Sequence, residues 1–440
     1  MTQQIDHSET HTVALRTPAT VMRLDRMGAA HPMRLSFLRI LLRRAQRENW
    51  QFTRTEWNVD DKGVGHAVYQ ARGPERTYSL IAFAHDLPDE DRTDRVIATS
   101  WDATFTLFDG IPSEDDIHRL SQNVPHQEAG RISEKEICLS RANRSVRLFN
   151  YVVSTLSKGI QPDAEKLFDV GYLMRTTAVY GSGKFGAVDY SAIRNREELQ
   201  APFQAEMLTV WLIRWFAIDI VNHMAKCAGA ERAAELDPLL ARRLGVGNST
   251  GLGMAPFLVR HPDLVNAWVT TRETALARVR SLSACDQETK TGFLTALAEA
   301  IENAQLWNTS HPLQVTRLVE LRNDLSLLNA CTHTFDWDTK MPWDRLWCWG
   351  EKHLSNEGQE ALLSLLLEPH GSIIDDLATD LSSPLNEGRK IDGAMSVAEL
   401  KEILNAHFHW AVSTNFNDKD ENAFFWYVSE EKLEPRLGER

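Results

Sequence analysis

Between Gln51 and Gly110 the hydrophobic period of this chain is two residues, whereas the stretches on either side repeat at helical spacing. That switch restricts the fold more than any other feature, because a period-two segment presents one apolar face only as a strand. The clearest case is 100–107, where Trp101, Ala103, Phe105 and Leu107 alternate with Ser100, Asp102, Thr104 and Thr106. With Gly63, Gly65, Gly73 and the polar run 87–93 as breaks, the region predicts four strands in an antiparallel meander. The polar side of 100–107 reads as a solvated face; only if both faces are covered do Asp102 and Thr104 line a cavity.

Upstream, apolar residues from Met33 to Leu42 recur at helical spacing, predicting one amphipathic helix over 31–49, opened by Pro32, that covers the sheet. Downstream, 122–140 reads as a polar connection. Helical patterns then dominate: 146–157, 164–174, 197–227, 231–244, 256–282, 287–307, 313–330, 343–353, 356–367 and 397–410. Ser396 with Glu399 matches a capping box ahead of the last. The expected fold class is α+β: a small N-terminal antiparallel β-sheet unit with a covering helix, then a large, mainly α-helical body. The expected units are a flexible N-terminus (1–20), a β-rich unit (21–140) and a helical body with a C-terminal docking segment (141–440).

A net charge of −13 over 440 residues argues against general binding of nucleic-acid backbones, which a basic surface must neutralise. The five cysteines are odd in number, far apart and free of CxxC spacing, which suits reduced thiols in a cytoplasmic protein. The polar residues 1–20 contain no apolar core, so they do not read as a secretory signal. The most apolar stretch, Met207 to Ile220, is interrupted by Arg214 and Asp219 and is too short to span a bilayer. The expectation is therefore a soluble, cytoplasmic protein with neither nucleic-acid nor membrane partners.

Three segments carry the candidate chemistry. In 175–190, Arg175, Tyr180, Ser182 and Lys184 accompany Gly181, Gly183 and Gly186. Glycines allow successive N–H groups to face inward, and the lysine supplies positive charge for an anion. The letters fit GxGxxG, yet the segment reads as lying between two helices, with no strand ahead of it. A glycine-rich surface turn explains it equally well.

In 245–257, Gly245, Gly247, Gly251 and Gly253 flank Asn248, Ser249 and Thr250, ahead of a helix whose first turn holds Pro256. A helix N-terminus with unsatisfied N–H donors suits a carboxylate or phosphate. The plainer alternative is close helix packing. In 422–436, Trp426 and Tyr427 end a run of four aromatics, followed by Glu430, Glu431 and Arg436. Docking on the chain's own body is the plain account; a pocket wall or a homodimer contact is the other.

His261 follows the second glycine segment closely, and His85 ends a strand as a candidate general base. A structural role explains both as simply. His407 and His409 face different directions on a helix, and His333 with Asp336 and Asp338 lacks a second cluster, so no metal site is expected.

Two functional readings follow. In the first, the chain is an enzyme acting on a small carboxylate- or phosphate-bearing metabolite by acid–base chemistry: a lyase, isomerase or hydrolase with no cofactor. Tyr180, Lys184, His261 and Glu430 are its catalytic candidates. Arg175, Ser182, Gly183, Asn248, Ser249, Thr250, Trp426, Tyr427 and Arg436 are its substrate-binding candidates. In the second, it is a non-catalytic ligand-binding or scaffolding protein whose Trp-rich helices, around Trp343, Trp347 and Trp349, form a partner surface. A homodimer is compatible with either.

Overall fold

The computed structural model describes residues 15–16, 34–35, 37–88, 100–126, 132–177, 195–199, 204–248, 262–306, 312–380 and 396–407. These fall into two compact units. One holds the described residues between 36 and 262, and the other holds 15–16, 34–35, 263–380 and 397–407. The fold is α+β, with a curled mixed sheet of seven strands followed by a helical body.

The sheet unit opens with helix α1 (Phe37–Arg47), followed by strands β1 (Gln51–Val59), β2 (Gly65–Arg72), β3 (Thr77–Ala84) and β4 (Ala103–Asp109). Helix α2 (Glu114–Ser121) then leads to β5 (Glu136–Arg144), α3 (Phe149–Leu156), α4 (Ala164–Val170), β6 (Tyr172–Thr177), α5 (Gln204–Gly229) and β7 (Gly245–Asn248). Strand order follows chain order, antiparallel from β1 to β6, with β7 added parallel to β6. The four-strand meander expected over 51–110 is present, and three further strands extend it.

Those three strands correct the sequence reading. The 122–140 connection and the unit boundary at 140 both run into β5. The helix expected over 164–174 stops at Val170, because Gly171 takes φ +74° and its N–H closes on the Leu167 carbonyl at 2.6 Å. Glycine adopts this left-handed cap without a Cβ penalty, and β6 starts at the next residue. The helix expected over 231–244 is a 3₁₀ turn (Ala230–Arg232), a single-turn helix (Pro238–Ala241) and then β7. The helix expected from Pro256 begins, within the described residues, at Pro262.

The sheet's principal cover is α5; α1 packs against α5. Ala67, Ala82, Ala84, Ala103 and Ala142 are fully buried small residues that let a helix approach the sheet closely. Phe216 of α5 meets Phe105 and Tyr69 edge-to-face at 5.5 and 6.4 Å. The two charges that interrupt α5's apolar sequence act as anchors. Asp219 accepts from the Tyr69 hydroxyl at 2.8 Å and pairs with Arg54 at 3.0 Å. Arg214 donates to the carbonyls of Leu244 and Ala241, each at 2.6 Å, and so holds the chain entering β7.

The helical unit comprises α6 (Pro262–Arg280), α7 (Gln287–Leu306), α8 (Pro312–Thr334), α9 (Pro342–His353), α10 (Asn356–Leu367) and α11 (Val397–His407). Phe293, Trp337 and Trp343 cluster at its centre with ring centroids 5.3 to 5.9 Å apart. Trp343 and Trp347, the centre of the expected partner surface, are 0% and 1% exposed and belong to the core. Arg16, within the stretch expected to be a flexible N-terminus, is anchored in this unit: its guanidinium forks onto Glu273 at 2.9 and 3.0 Å and reaches Glu360 at 2.9 Å. Both carboxylates are buried, and Arg272 also pairs with Glu360. No helix among the described residues is long and apolar enough to cross a membrane, and all five cysteines are unpaired.

Candidate functional site

The first two glycine-rich segments are far apart in sequence but leave from neighbouring strands. In the parallel β6–β7 pair, Arg175 stands opposite Gly247 and Thr176 opposite Asn248. The described parts of these strands end at Thr177 and Asn248, pointing the same way. The expectation that no strand precedes 181–186 is therefore corrected. Gly245 and Gly247, expected in a loop, lie within β7. The pairing is fixed from its other end too, where the Gly245 N–H donates to the Gly171 carbonyl at 2.9 Å. Open sheets bind ligands beyond the carboxyl ends of parallel strands, because backbone N–H groups and loops converge there.

Of the expected site residues, Arg175 and Asn248 lie within the described part of the chain; Arg175 is half-buried. Tyr180, Ser182, Gly183, Lys184, Ser249, Thr250, His261, Trp426, Tyr427, Glu430 and Arg436 lie outside the described residues.

The strand register shows what shares a sheet face with Arg175, since residues directly opposite one another point to the same side. Asn143 of β5 stands opposite Arg175, and the Asp102 N–H donates to the Asn143 side-chain oxygen at 3.0 Å. The His85 N–H in turn donates to the Asp102 carbonyl at 2.8 Å. One polar row thus runs His85, Asp102, Asn143, Arg175, Gly247 across five neighbouring strand positions. The next row on that face runs Phe83, Thr104, Arg141, Thr177. Arg141 and Arg175 are diagonal neighbours, which places their Cα atoms about 7–8 Å apart.

The electrostatics of this face are set by burial. The Arg141 guanidinium lies 4.5 Å from the ring centroid of Trp101, and burial lowers its pKa from the ordinary arginine value. Asp102, fully buried, accepts from the Arg144 N–H at 2.9 Å and lies 3.8 Å from the Arg144 guanidinium. Burial pushes the His85 imidazole down to about 4; Asp102 opposes that shift, while Arg144 and His126 add to it. His85 Nε2 is buried and has no hydrogen-bond partner among the described residues. At neutral pH this ring is uncharged.

The polar face of 100–107 is not solvated, contrary to the plainer expectation. Asp102, Thr104 and Thr106 are 0%, 0% and 3% exposed. Thr104 and Thr106 line a cavity with Phe83, Leu139, Arg119 and Glu136, the last two ion-paired at 2.7 Å. Asp102 is spent on its neighbours' N–H groups and does not line it.

Sequence reasoning missed Arg141 and Asn143 because it placed both between the end of a polar connection (122–140) and the start of the helical body. The alternation of Ile137, Leu139 and Arg141 with Cys138, Ser140 and Ala142 is the signal for β5. It is weak because both faces are buried, so polarity does not alternate cleanly. Among the described residues no group of three or more His, Cys, Asp or Glu could hold a metal ion. No known protein family, curated protein or solved structure matches this chain.

Proposed function

We propose that the chain binds a small carboxylate- or phosphate-bearing metabolite at the carboxyl end of the β6–β7 pair and transforms it by acid–base chemistry. The observation that carries this reading is the parallel pairing of Arg175 with Gly247 and of Thr176 with Asn248. It sets the starts of two glycine-rich, lysine- and hydroxyl-bearing segments side by side. Arg141 and Arg175, on the same sheet face, supply cationic donors matched to the two oxygens of a carboxylate or phosphate. Elimination, isomerisation or hydrolysis is the reaction class, because such chemistry needs positioned proton carriers and no redox group. His85, neutral and on the same row, joins Tyr180, Lys184, His261 and Glu430 as a candidate proton carrier. Trp343 and Trp347 lie in the core of their unit, which removes the main support for a tryptophan partner surface.

The test is a thermal-shift screen of small carboxylates and phosphates on the full chain, with Arg175→Gln, Arg141→Gln, Lys184→Ala and Asn248→Ala alongside wild type. An anion seated here raises the melting temperature of wild type more than that of Arg175→Gln and Arg141→Gln. Equal shifts in wild type and in both arginine variants exclude this seat. Turnover of a stabilising anion separates the enzyme from a non-catalytic binder.

A further inference from the structure

Thr104 carries a polar atom that the sheet itself does not use. Its side chain is fully buried on β4, and its Oγ1 has no hydrogen-bond partner among the described residues. A buried hydroxyl left without a partner is destabilising, so a position that keeps one calls for a group to meet it. Thr104 also lines the cavity beside it, whose volume of about 20 Å³ admits one hydroxyl- or methyl-sized group. The walls sort the possibilities. Phe83 and Leu139 supply apolar sides, while Thr104 and the Arg119–Glu136 ion pair supply polar ones.

The register connects this cavity to the two arginines. Thr104 stands directly opposite Arg141, one strand spacing of about 4.8 Å away. Arg141 in turn stands opposite Thr177, the last residue of β6, with Arg175 diagonal to it. Thr104 and the two arginines therefore share one face of the sheet at neighbouring register positions.

We infer that Thr104 and its cavity form a second subsite of the same ligand, which is a short hydroxy acid whose hydroxyl group hydrogen-bonds Thr104 Oγ1. This inference rests on the anion seat proposed above and adds the part of the ligand that is not charged. The two ends divide the work: the arginines select a carboxylate, and Thr104 selects among carboxylates by the group two or three bonds away. An acid lacking the hydroxyl leaves Thr104 unsatisfied, and a bulkier substituent does not fit the cavity.

The experiment compares acids that differ only in the hydroxyl, lactate with propionate and 3-hydroxybutyrate with butyrate. Affinities are measured by calorimetry on wild type, Thr104→Val and Arg141→Gln. Valine keeps the shape of threonine and removes the hydroxyl. In wild type at least one hydroxy acid is expected to bind about five-fold or more tighter than its partner, the value of one neutral hydrogen bond. In Thr104→Val that preference falls to about one while the affinity of the plain acid is unchanged. In Arg141→Gln both acids of the pair weaken together. A wild-type chain that binds both acids equally, or a preference that survives in Thr104→Val, overturns the subsite and leaves the anion seat standing. A wild-type chain that binds none of the four acids overturns the subsite as well; if the carboxylate and phosphate screen also finds no anion, the seat falls with it.

Discussion

His85 gives the sheet unit a measurable response to acid. Burial holds its imidazole at about 4 against an ordinary value of 6.5, so the folded chain declines a proton that the unfolded chain takes up. Where the unfolded state binds more protons, stability rises with pH; acidification from neutrality towards about pH 4 therefore destabilises the fold. The contribution is fully favourable above about pH 6.5 and is lost as the pH falls through the window between the two values. Integrating the linkage gives a loss of about 1 kcal/mol at about pH 5.5 and about 2–3 kcal/mol at about pH 4.5. The assay is urea denaturation of wild type and His85→Gln at matched pH values from about 7.5 down to about 4.5. Carboxylates titrate in both proteins, so the difference between the two curves isolates this ring. Wild type should lose about 2–3 kcal/mol more than His85→Gln between the ends of that range. Parallel curves, or a variant that loses more than wild type, refute the argument that His85 is buried and neutral.

Three further outcomes follow from named contacts. Arg16→Ala leaves Glu273 and Glu360 with one fewer cation in a buried site and is expected to cost about 3–5 kcal/mol in denaturant titrations. The same substitution in a Glu273→Gln background should cost less, and equal costs in the two backgrounds exclude coupling between the pair. Gly171→Ala places a Cβ at φ +74° and should destabilise by about 1–2 kcal/mol, read as a shift in the denaturation midpoint at unchanged slope. Arg214→Met retains the apolar stem but removes the guanidinium bonds to the Leu244 and Ala241 carbonyls, leaving Ala241 only the Leu244 N–H. A loss of about 2–4 kcal/mol is expected, and wild-type stability would show that these bonds do not hold β7.

The legible parts of the fold were those whose chemistry is local. The meander over 51–109 was visible because its first two turns contain glycine and its strands alternate, and α9 and α10 because their apolar stripes run uninterrupted. Ser355 accepts from the Glu357 N–H at 3.1 Å at the start of α10. The strands that build the candidate site were not legible. β5 is buried on both faces, β6 follows a helix after one glycine, and β7 is the four residues Gly245–Asn248 with almost no side chain to pattern. The two glycine-rich segments were recognised as unusual without the strands that lead into them. That is why Arg175 was named and Arg141 was not.

β7 shows why such a strand escapes a local reading and yet forms. Gly-Val-Gly-Asn has poor intrinsic strand propensity, because two of its four residues pay the full backbone entropy of ordering and bring no packing. Its conformation is imposed from outside the segment. Arg214 grips the two carbonyls ahead of it, Gly171 accepts from its first N–H, and β6 pairs along its length. Each of those partners lies far away in sequence or is itself a residue chosen for backbone shape. A strand held by anchors and not by its own side chains can present bare backbone at its edge, and Gly247 does so opposite Arg175. Bare backbone next to a cation is the arrangement that lets a small anion approach closely on both sides. The same lack of side chains that hid β7 from periodicity is therefore what suits it to the role proposed here.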